Sequence, residues 1–316
     1  MTSILRTAWI FWIALGLQPA AAAAGARAYE RKEDVVYGRK YGVALTLDVF
    51  TPKDANGAAV IFAVSGGWFS AHEAINVAFF GELLARGYTV FAVVHGSQPK
   101  FAIPEIAEDM HRAVRFIRHN AGRFGIDPAR IGIMGASAGG HLSLLIGTSG
   151  KPGDPGARDP VDRESSRVQA VACFFPPTDF LNFGTPGRDV LQALEGELSG
   201  FRAPFDFVER DPKAGRLVVI ESREKRLEIA RDISPVTHVS ADDPPALIIH
   251  GDADKLVPIQ QAQVFEEKMR AAGAKVKLVV KPGAGHGWPE ILKDLSLVAD
   301  WFDEHLKKAE AEKAPR

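Results

Sequence analysis

A serine between glycines is the residue of this sequence with the clearest chemical potential. Ser137 stands in Gly135-Ala-Ser-Ala-Gly139, which follows the apolar run 131–134 and precedes small and apolar residues of helical character. A strand that ends in Gly-x-Ser-x-Gly and leads into a helix forms a tight turn, and this turn exposes the serine hydroxyl at the helix N-terminus. The flanking glycines are needed because a strained serine leaves little room for neighbouring side chains. The pattern predicts a nucleophilic serine; the alternative is a passive serine in a glycine-rich turn.

A serine hydroxyl is a weak nucleophile near neutral pH, so it needs a base within hydrogen-bond reach and a carboxylate that orients the base. Two predicted strands downstream, 245–250 and 276–280, are followed by such groups. Asp254 lies in the turn after the first strand, and His286 lies in a glycine-flanked loop after the second. The chain order Ser, Asp, His is typical of this kind of turn. We therefore assign Ser137 as nucleophile, Asp254 as orienting acid and His286 as general base and acid.

Other polar residues near the same strand ends are weaker candidates. Asp252 is the alternative acid, but it lies closer to its strand end, where it could instead cap the turn. His250 ends an apolar strand and is interpreted as a structural histidine. His141 lies one turn into the helix and is expected to pack beneath Ser137, whereas His95 follows another strand and could line the pocket.

Acyl transfer also requires hydrogen-bond donors for the oxyanion of a tetrahedral intermediate. The predicted strand 58–64 is followed by Ser65-Gly-Gly-Trp68, where glycines allow the backbone to approach a substrate. We assign the N–H groups of Gly67, Trp68 and Ala138 as the oxyanion hole. An ordinary Gly-Gly turn is the alternative for the first two.

Strands and helices that alternate along the chain must position these groups. Apolar runs predict strands at 35–37, 43–50, 58–64, 89–94, 168–175, 245–250 and 276–280, besides the one before Ser137. Helical periodicity predicts helices at 75–86, 104–124, 221–232, 259–272 and 288–308, besides the one after Ser137. This order predicts an α/β fold, in which a mostly parallel central sheet carries helices on both faces. The first two strands precede any helix and predict an antiparallel edge, and the segment 177–233 is predicted to be a small lid insertion.

Composition excludes several other classes of protein. The formal net charge of −1 over 316 residues argues against nucleic-acid binding. The single cysteine, Cys173, excludes an intramolecular disulfide and a zinc site built from several cysteines. The acidic residues near Asp252 do not have the spacing of a known metal motif, so we predict neither a metal nor a cofactor.

The N-terminus has the pattern of an export signal. Arg6 precedes an apolar stretch at 8–17, and an alanine-rich segment follows. This arrangement predicts a signal peptide over residues 1–24 and one catalytic domain over 29–312. The expected location is secreted or periplasmic, without stable membrane insertion after cleavage of the signal.

Taken together, these residues resemble the α/β-hydrolases of the esterase/lipase group, which includes acetyl-xylan and feruloyl esterase-like proteins. They are more distantly similar to the catalytic domain of prolyl oligopeptidases. The matching pieces are 66–68, 135–140, 177–179, 234–235, the His-Gly-x-x-Asp motif at 250–254, 257–258 and 285–286. Related esterases usually begin the oxyanion loop with His-Gly-Gly, whereas Ser65 stands in the histidine position here.

The resemblance implies an α/β-hydrolase fold and an exported carboxylic ester hydrolase that works through an acyl-enzyme. Its expected substrates are small-molecule esters, either with a small acyl group or linked to a carbohydrate. A serine peptidase of the prolyl-oligopeptidase type is the first alternative, although too few residues precede Ser137 for a propeller domain. A non-catalytic binding module on the same fold is the second alternative.

Overall fold

Apolar runs of the sequence form the strands of a twisted sheet in the computed structural model, which describes residues 28–196, 198–213 and 215–307. The strands are Tyr29–Lys40 (β1), Val43–Pro52 (β2), Ala59–Val64 (β3), Thr89–Val94 (β4), Ile131–Ala136 (β5), Ala170–Phe174 (β6), Val208–Arg210 (β7), Leu217–Val219 (β8), Ala246–Gly251 (β9) and Val276–Lys281 (β10). The helices are Gly81–Ala85 (α1), Ile103–His119 (α2), Ala121–Phe124 (α3), Ala138–Thr148 (α4), Val190–Ala193 (α5), Arg223–Asp232 (α6), Gln260–Ala271 (α7) and Leu295–Leu306 (α8).

Eight strands form the main sheet in the order β1-β2-β4-β3-β5-β6-β9-β10. β2 runs antiparallel to both of its neighbours, and all pairings from β4 to β10 are parallel. The predicted antiparallel edge and mostly parallel sheet are therefore confirmed. Because parallel strands end at the same edge, the loops after β3, β5, β6, β9 and β10 meet there.

Two apolar cores cover the two faces of the sheet, as the continuous apolar strands predict. In β3, Ile61 faces the core formed with α2, α4 and α7, and Phe62 faces the core formed with α1 and α8. All six residues of β3 are buried. The prediction of helices on both faces is confirmed, and these packed layers hold the strand ends rigidly.

Three predicted helices are shorter than their patterns suggest. Helix α1 covers only Gly81–Ala85, because the Asn76 side chain caps a separate 3-10 turn before it. The predicted helix 104–124 breaks at Asn120, whose side-chain amide donates to the carbonyl of Phe116. Local side-chain hydrogen bonds of this kind compete with helical continuation.

The last helix begins at Leu295 rather than near Trp288. A 3-10 turn over Ile291–Asp294 precedes it, and the Asp294 carboxylate accepts hydrogen bonds from the Trp288 indole and the Lys281 ammonium. These two bonds hold the Asp294 side chain directly before the first residue of α8.

Between β6 and β9 the chain leaves the βα alternation and forms α5, the β7–β8 hairpin and α6. This segment contains the predicted lid insertion, 177–233. The predicted signal peptide, 1–24, and the end of the predicted domain beyond residue 307 lie outside the described residues. Within the described part of the chain, no helix has both the length and the apolar character needed to cross a membrane.

Candidate active site

Ser137 lies at the turn between β5 and α4, with φ 53° and ψ −119°. A non-glycine residue rarely adopts a positive φ, so the turn is strained and is held by its surroundings. A Cβ atom on Gly135 would lie 2.4 Å from the carbonyl carbon of Gly139, and one on Gly139 would lie 2.6 Å from the Ala63 carbonyl oxygen. The two glycines of the motif are therefore required by close backbone packing.

The three residues assigned to catalysis are brought together. His286 Nε2 lies 2.9 Å from Ser137 Oγ, and His286 Nδ1 lies 2.7 Å from Asp254 Oδ2. The imidazole is 13% exposed and the carboxylate is fully buried. This arrangement allows a proton to pass from the hydroxyl to Nε2 while the carboxylate stabilises the resulting imidazolium.

The carboxylate of Asp254 is well supplied with donors. Its Oδ1 accepts from the backbone N–H groups of Leu256 and Val257 at 2.9 and 3.0 Å. Burial alone would raise the pKa of Asp254, but hydrogen bonds from His250, His286 and the Val257 backbone hold it well below its usual value. The carboxylate is therefore ionised at neutral pH.

The loop that carries His286 packs tightly against the end of β9. A Cβ atom on Gly251 would lie 2.2 Å from the Ala284 carbonyl oxygen, so only glycine fits there. Asp252 is exposed, and its Oδ1 accepts from the Gly283 N–H at 2.7 Å. The alternative acid thus caps the histidine loop, and the structure does not bring it to the imidazole.

Residues 65–70, named here the oxyanion loop, form a tight hairpin after β3. Gly66 and Phe69 exchange both backbone hydrogen bonds, at 3.0 and 2.9 Å. Gly67 and Trp68 between them have φ values of 55° and 60°, which is the conformation of a two-residue hairpin turn. Gly66 and Phe69 make the hydrogen bonds of the turn, so these bonds do not use the N–H groups of Gly67 and Trp68.

Gly67, Trp68 and Ser137 line the same small cavity. Ala138 is the first residue of α4, so its N–H is one of those that no helical carbonyl can satisfy. All three assigned oxyanion donors therefore lie in the segments that border Ser137. The turn differs from an ordinary Gly-Gly turn, because its second central residue is a tryptophan that adopts a positive φ.

The remaining histidines near these strand ends are structural in position. His141 is fully buried below Ser137, as predicted; its Nδ1 accepts from the Trp68 indole at 3.2 Å, and its Nε2 donates to the Ile233 carbonyl at 2.7 Å. His250 is also fully buried, and its Nε2 donates to the Val257 carbonyl at 2.8 Å. His95 does not line the cavity, because it is buried against Ser65.

Burial lowers the pKa of His95, His111 and His141 from 6.5 to about 4. Between these two pH values the unfolded chain binds more protons than the folded one, so the free energy of unfolding should fall as the pH falls from about 6.5 to about 4. Each histidine contributes up to about 3 kcal/mol to this loss. Asp109 and Asp243, whose pKa values are raised by burial, offset part of it. Denaturant unfolding at about pH 7.5 and about pH 4.5 measures the difference.

The control is His111→Gln, which removes one of these three imidazoles. His111 lies near Ser149, at the end of α4 opposite Ser137. The free energy of unfolding of this variant should depend less steeply on pH than that of the wild type. Equal slopes for the two proteins, or a wild-type stability that does not change over this interval, would contradict the prediction.

The cavity beside Ser137 has a volume of about 30 Å³ and is mostly apolar. Besides the oxyanion loop, it is lined by residues of the loop after β6, the insertion and the β9 loop: Pro177, Phe180, Phe183, Leu198, Phe201, Phe205, Leu256 and Val257. A Cβ atom on Gly67 would lie 2.8 Å from the Phe201 ring, so this ring closes directly onto the oxyanion loop. The volume corresponds to about two water molecules.

Sequence reasoning missed several residues that shape the site. Phe201 belongs to a short 3-10 turn of the insertion, where no periodic pattern marks its direction. Phe175, at φ 37°, places its ring centroid 4.4 Å from that of His286. The only sequence signal for it is its place at the end of the predicted strand 168–175. For Trp68 the sequence predicts only the role of the backbone N–H. It does not predict the indole, which links the oxyanion loop to His141.

One group among the described residues could offer ligand atoms to a metal ion, away from Ser137. Ligand atoms of Asp34, Asp48 and His72 lie within 4.8 Å of one another. However, Asp48 Oδ2 already accepts from Arg31 Nε and Nη2 at 2.9 and 2.6 Å, and His72 Nε2 lies 2.7 Å from Thr46 Oγ1. The guanidinium charge opposes a bound cation, so we assign no metal role to this group.

The chain is similar to several known esterases. Esterase LipC of Mycobacterium tuberculosis is 32% identical over 268 residues, which make up 83% of this chain and 61% of that protein. The chain thus spans about three fifths of the length of this relative. A truncated carbohydrate esterase from gut microbiota superposes with a TM-score of 0.69 and 28% identity, covering 90% of this chain and 99% of that one.

A second solved structure, the butyrate-bound esterase Est2 of Thermogutta terrifontis, has a TM-score of 0.66 and 25% identity. It covers 90% of this chain and 97% of the other. The dienelactone hydrolase family profile matches residues 230–313, and the BD-FAE family profile matches residues 47–269. Because the latter match includes most of the chain, and the fold and relatives agree with it, the chain belongs to the BD-FAE family, within the esterase group of the α/β-hydrolases.

Proposed function

We propose that this protein is a carboxylic ester hydrolase in which Ser137, His286 and Asp254 form the catalytic triad. The observation that carries the proposal is the hydrogen-bonded series from Ser137 Oγ to His286 to Asp254, with distances of 2.9 and 2.7 Å, at the border of a cavity. The esterase relatives support the same reaction class.

In the proposed mechanism, Ser137 Oγ attacks the ester carbonyl carbon, and its proton passes to His286 Nε2. The N–H groups of Gly67, Trp68 and Ala138 donate to the oxyanion that forms. The carbon–oxygen bond to the leaving group then breaks, and the alkoxide takes the proton from His286. Water attacks the acyl-enzyme by the same steps, which releases the carboxylic acid and restores the serine.

The cavity supports a small acyl group as the preferred substrate. The cavity beside Ser137 has room for about two water molecules, which matches an acetyl group better than a long alkyl chain. The butyrate-bound relative and the carbohydrate esterase from gut microbiota support short acyl esters, with a carbohydrate as one class of alcohol. We therefore propose short-chain acyl esters, including acylated carbohydrates, as substrates.

The test is a substrate panel combined with covalent trapping. We expect the wild-type protein to hydrolyse p-nitrophenyl acetate and to release acetate from acetylated xylan, and we expect a fluorophosphonate probe to label Ser137, as read by peptide mass spectrometry. Faster turnover of proline nitroanilides than of esters would favour a peptidase instead. Absence of both turnover and labelling would favour a binding module.

Replacing Phe201 by alanine should widen the acyl preference. Its ring lies over Gly67 and closes the cavity, so its removal gives additional methylene groups a place to bind. Burial of each methylene stabilises a complex by about 0.8 kcal/mol. We expect the ratio of kcat/KM for p-nitrophenyl octanoate to that for the acetate to rise about tenfold or more.

The matched control is Phe124→Ala, which removes another half-buried phenylalanine, on α3, outside the cavity lining. Any loss of stability in that variant should leave the octanoate-to-acetate ratio as in the wild type. If Phe124→Ala changes the ratio as much as Phe201→Ala, the assignment of Phe201 to the acyl pocket is wrong.

A further inference from the structure

The first residue of the oxyanion loop is hydrogen-bonded to a buried histidine just after the neighbouring strand β4. Ser65 Oγ lies 2.8 Å from Nε2 of His95, which directly follows β4 and is 3% exposed. The other ring nitrogen, Nδ1, lies 2.8 Å from the Gly96 carbonyl oxygen. Because a carbonyl only accepts, Nδ1 carries the hydrogen, and burial lowers the pKa of His95 to about 4. In the neutral ring Nε2 is therefore an acceptor, and the Ser65 hydroxyl donates to it.

The rest of the oxyanion loop is bonded to the same segment, residues 95–98. Ser70 Oγ accepts from the His95 N–H at 3.3 Å, and Ser97 Oγ accepts from the Ser70 N–H at 3.0 Å. The Gln98 N–H donates to the Trp68 carbonyl at 3.2 Å. The loop is thus attached at its start, its turn and its end to one segment of chain.

That segment is itself fixed to the body of the protein. The Gly96 N–H donates to Asp109 Oδ2 at 2.9 Å, and the Lys40 ammonium donates to the same oxygen at 2.6 Å. Asp109 lies on α2 and Lys40 ends β1. The attachments of the oxyanion loop therefore lead to rigid elements of the fold.

We propose that Ser65 and His95 are positioning residues for the oxyanion hole: their hydrogen bond holds the N–H groups of Gly67 and Trp68 where the oxyanion forms. This inference rests on the proposed esterase function. The loop carries two consecutive residues at positive φ, a conformation that persists only when its surroundings impose it. Removing the hydroxyl would also leave His95 Nε2 as a buried acceptor without a partner, which favours rearrangement at that point.

The test compares Ser65→Ala with Ser65→Thr, which keeps a hydroxyl at the same position. Oxyanion donors act on the transition state more than on the bound ester, so kcat and kcat/KM for p-nitrophenyl acetate should fall together in Ser65→Ala. We expect a loss of about tenfold to a hundredfold, because a displaced donor costs less than a deleted one. The threonine variant should stay within about threefold of the wild type.

The control is Ser166→Ala, which breaks a comparable buried pair. Ser166 Oγ lies 3.0 Å from His111 Nδ1, and His111 lies near Ser149 at the end of α4 opposite Ser137. This variant should keep its kcat, whatever its melting temperature. A loss smaller than about fivefold in Ser65→Ala, or an equal loss in Ser166→Ala or Ser65→Thr, would overturn the inference.

Hydrogen–deuterium exchange of residues 65–70 separates this inference from the proposed function. Exchange there should be faster in Ser65→Ala than in the wild type and Ser65→Thr. A wild type without ester turnover would contradict the proposed function, and the exchange rates would still decide whether the bond anchors the loop. Unchanged exchange in Ser65→Ala would overturn the anchoring, and faster exchange with unchanged kcat would overturn the positioning role.

Discussion

Ser137→Ala is expected to hydrolyse p-nitrophenyl acetate with a kcat about a millionfold below that of the wild type. The variant lacks the oxygen that forms the acyl-enzyme, and His286 has no hydroxyl from which to take a proton. Only the oxyanion donors and substrate binding remain, which leave a small acceleration over the reaction in water. Steady-state assays of protein purified from an esterase-deficient host measure the residual rate, and fluorophosphonate labelling should disappear at the same time.

The Ser137→Gly variant is the matched control for folding. It should be equally inactive, but the strain at φ 53° and ψ −119° is removed, because glycine adopts positive φ without steric cost. That relief is of the order of 1–3 kcal/mol, and the greater freedom of glycine in the unfolded chain cancels part of it. The glycine variant should therefore be more stable than the alanine variant. The triad assignment fails if Ser137→Ala retains more than about a hundredth of the wild-type kcat.

The sequence was sufficient to predict the central sheet and the convergence of the three residues assigned to catalysis. Strand β3 is apolar at all six positions, and such a run is stable only where both faces are covered. Once the strands alternate with helices, their carboxyl ends must share one edge. Ser137, Asp254 and His286 each follow a different strand, so the fold alone brings them together. This convergence follows from the topology, which periodicity reveals, and the tight packing of the His286 loop against the end of β9 then sets the distances.

The shape of the pocket was not predictable in the same way. Phe201 reaches Gly67 across more than a hundred residues of intervening chain, from a segment without helical or strand periodicity. Likewise, the bond between Ser65 and His95 joins the ends of two neighbouring strands through side chains alone. A pattern of apolar residues specifies which face of an element is buried, but it carries no information on which polar atoms meet across two loops.

The predicted helix boundaries were wrong for a related reason. Apolar periodicity continues from α2 into α3, but the helix breaks at Asn120, where the backbone leaves the helical conformation and the side chain donates to the Phe116 carbonyl. Near the C-terminus, the Asp294 carboxylate accepts hydrogen bonds from Trp288 and from Lys281, the last residue of β10. Competing side-chain bonds of about 1 kcal/mol are enough to decide such ends.

Asp254→Asn should lower kcat by about 10⁴-fold while the protein keeps its fold. In the wild type, Oδ1 accepts from the backbone of Leu256 and Val257, and Oδ2 accepts from His286 Nδ1. The asparagine side chain has one oxygen, which the two backbone N–H groups require. Its NH2 group would therefore face the imidazole and donate to Nδ1. The histidine would then carry its hydrogen on Nε2, where it cannot accept the proton of Ser137. Loss of the carboxylate also removes the charge that stabilises the imidazolium.

Asp252→Asn separates this role from a general effect of charge in the same turn. Asp252 is exposed and bonds the Gly283 N–H through Oδ1, and an asparagine oxygen can accept that bond as well. We expect its kcat to stay within about threefold of the wild type. Measured side by side at the same pH, the two variants decide the identity of the acid. A large loss of kcat in Asp252→Asn, with kcat nearly unchanged in Asp254→Asn, would assign the acid role to Asp252. We expect the opposite result, because His286 Nδ1 lies 2.7 Å from the carboxylate of Asp254.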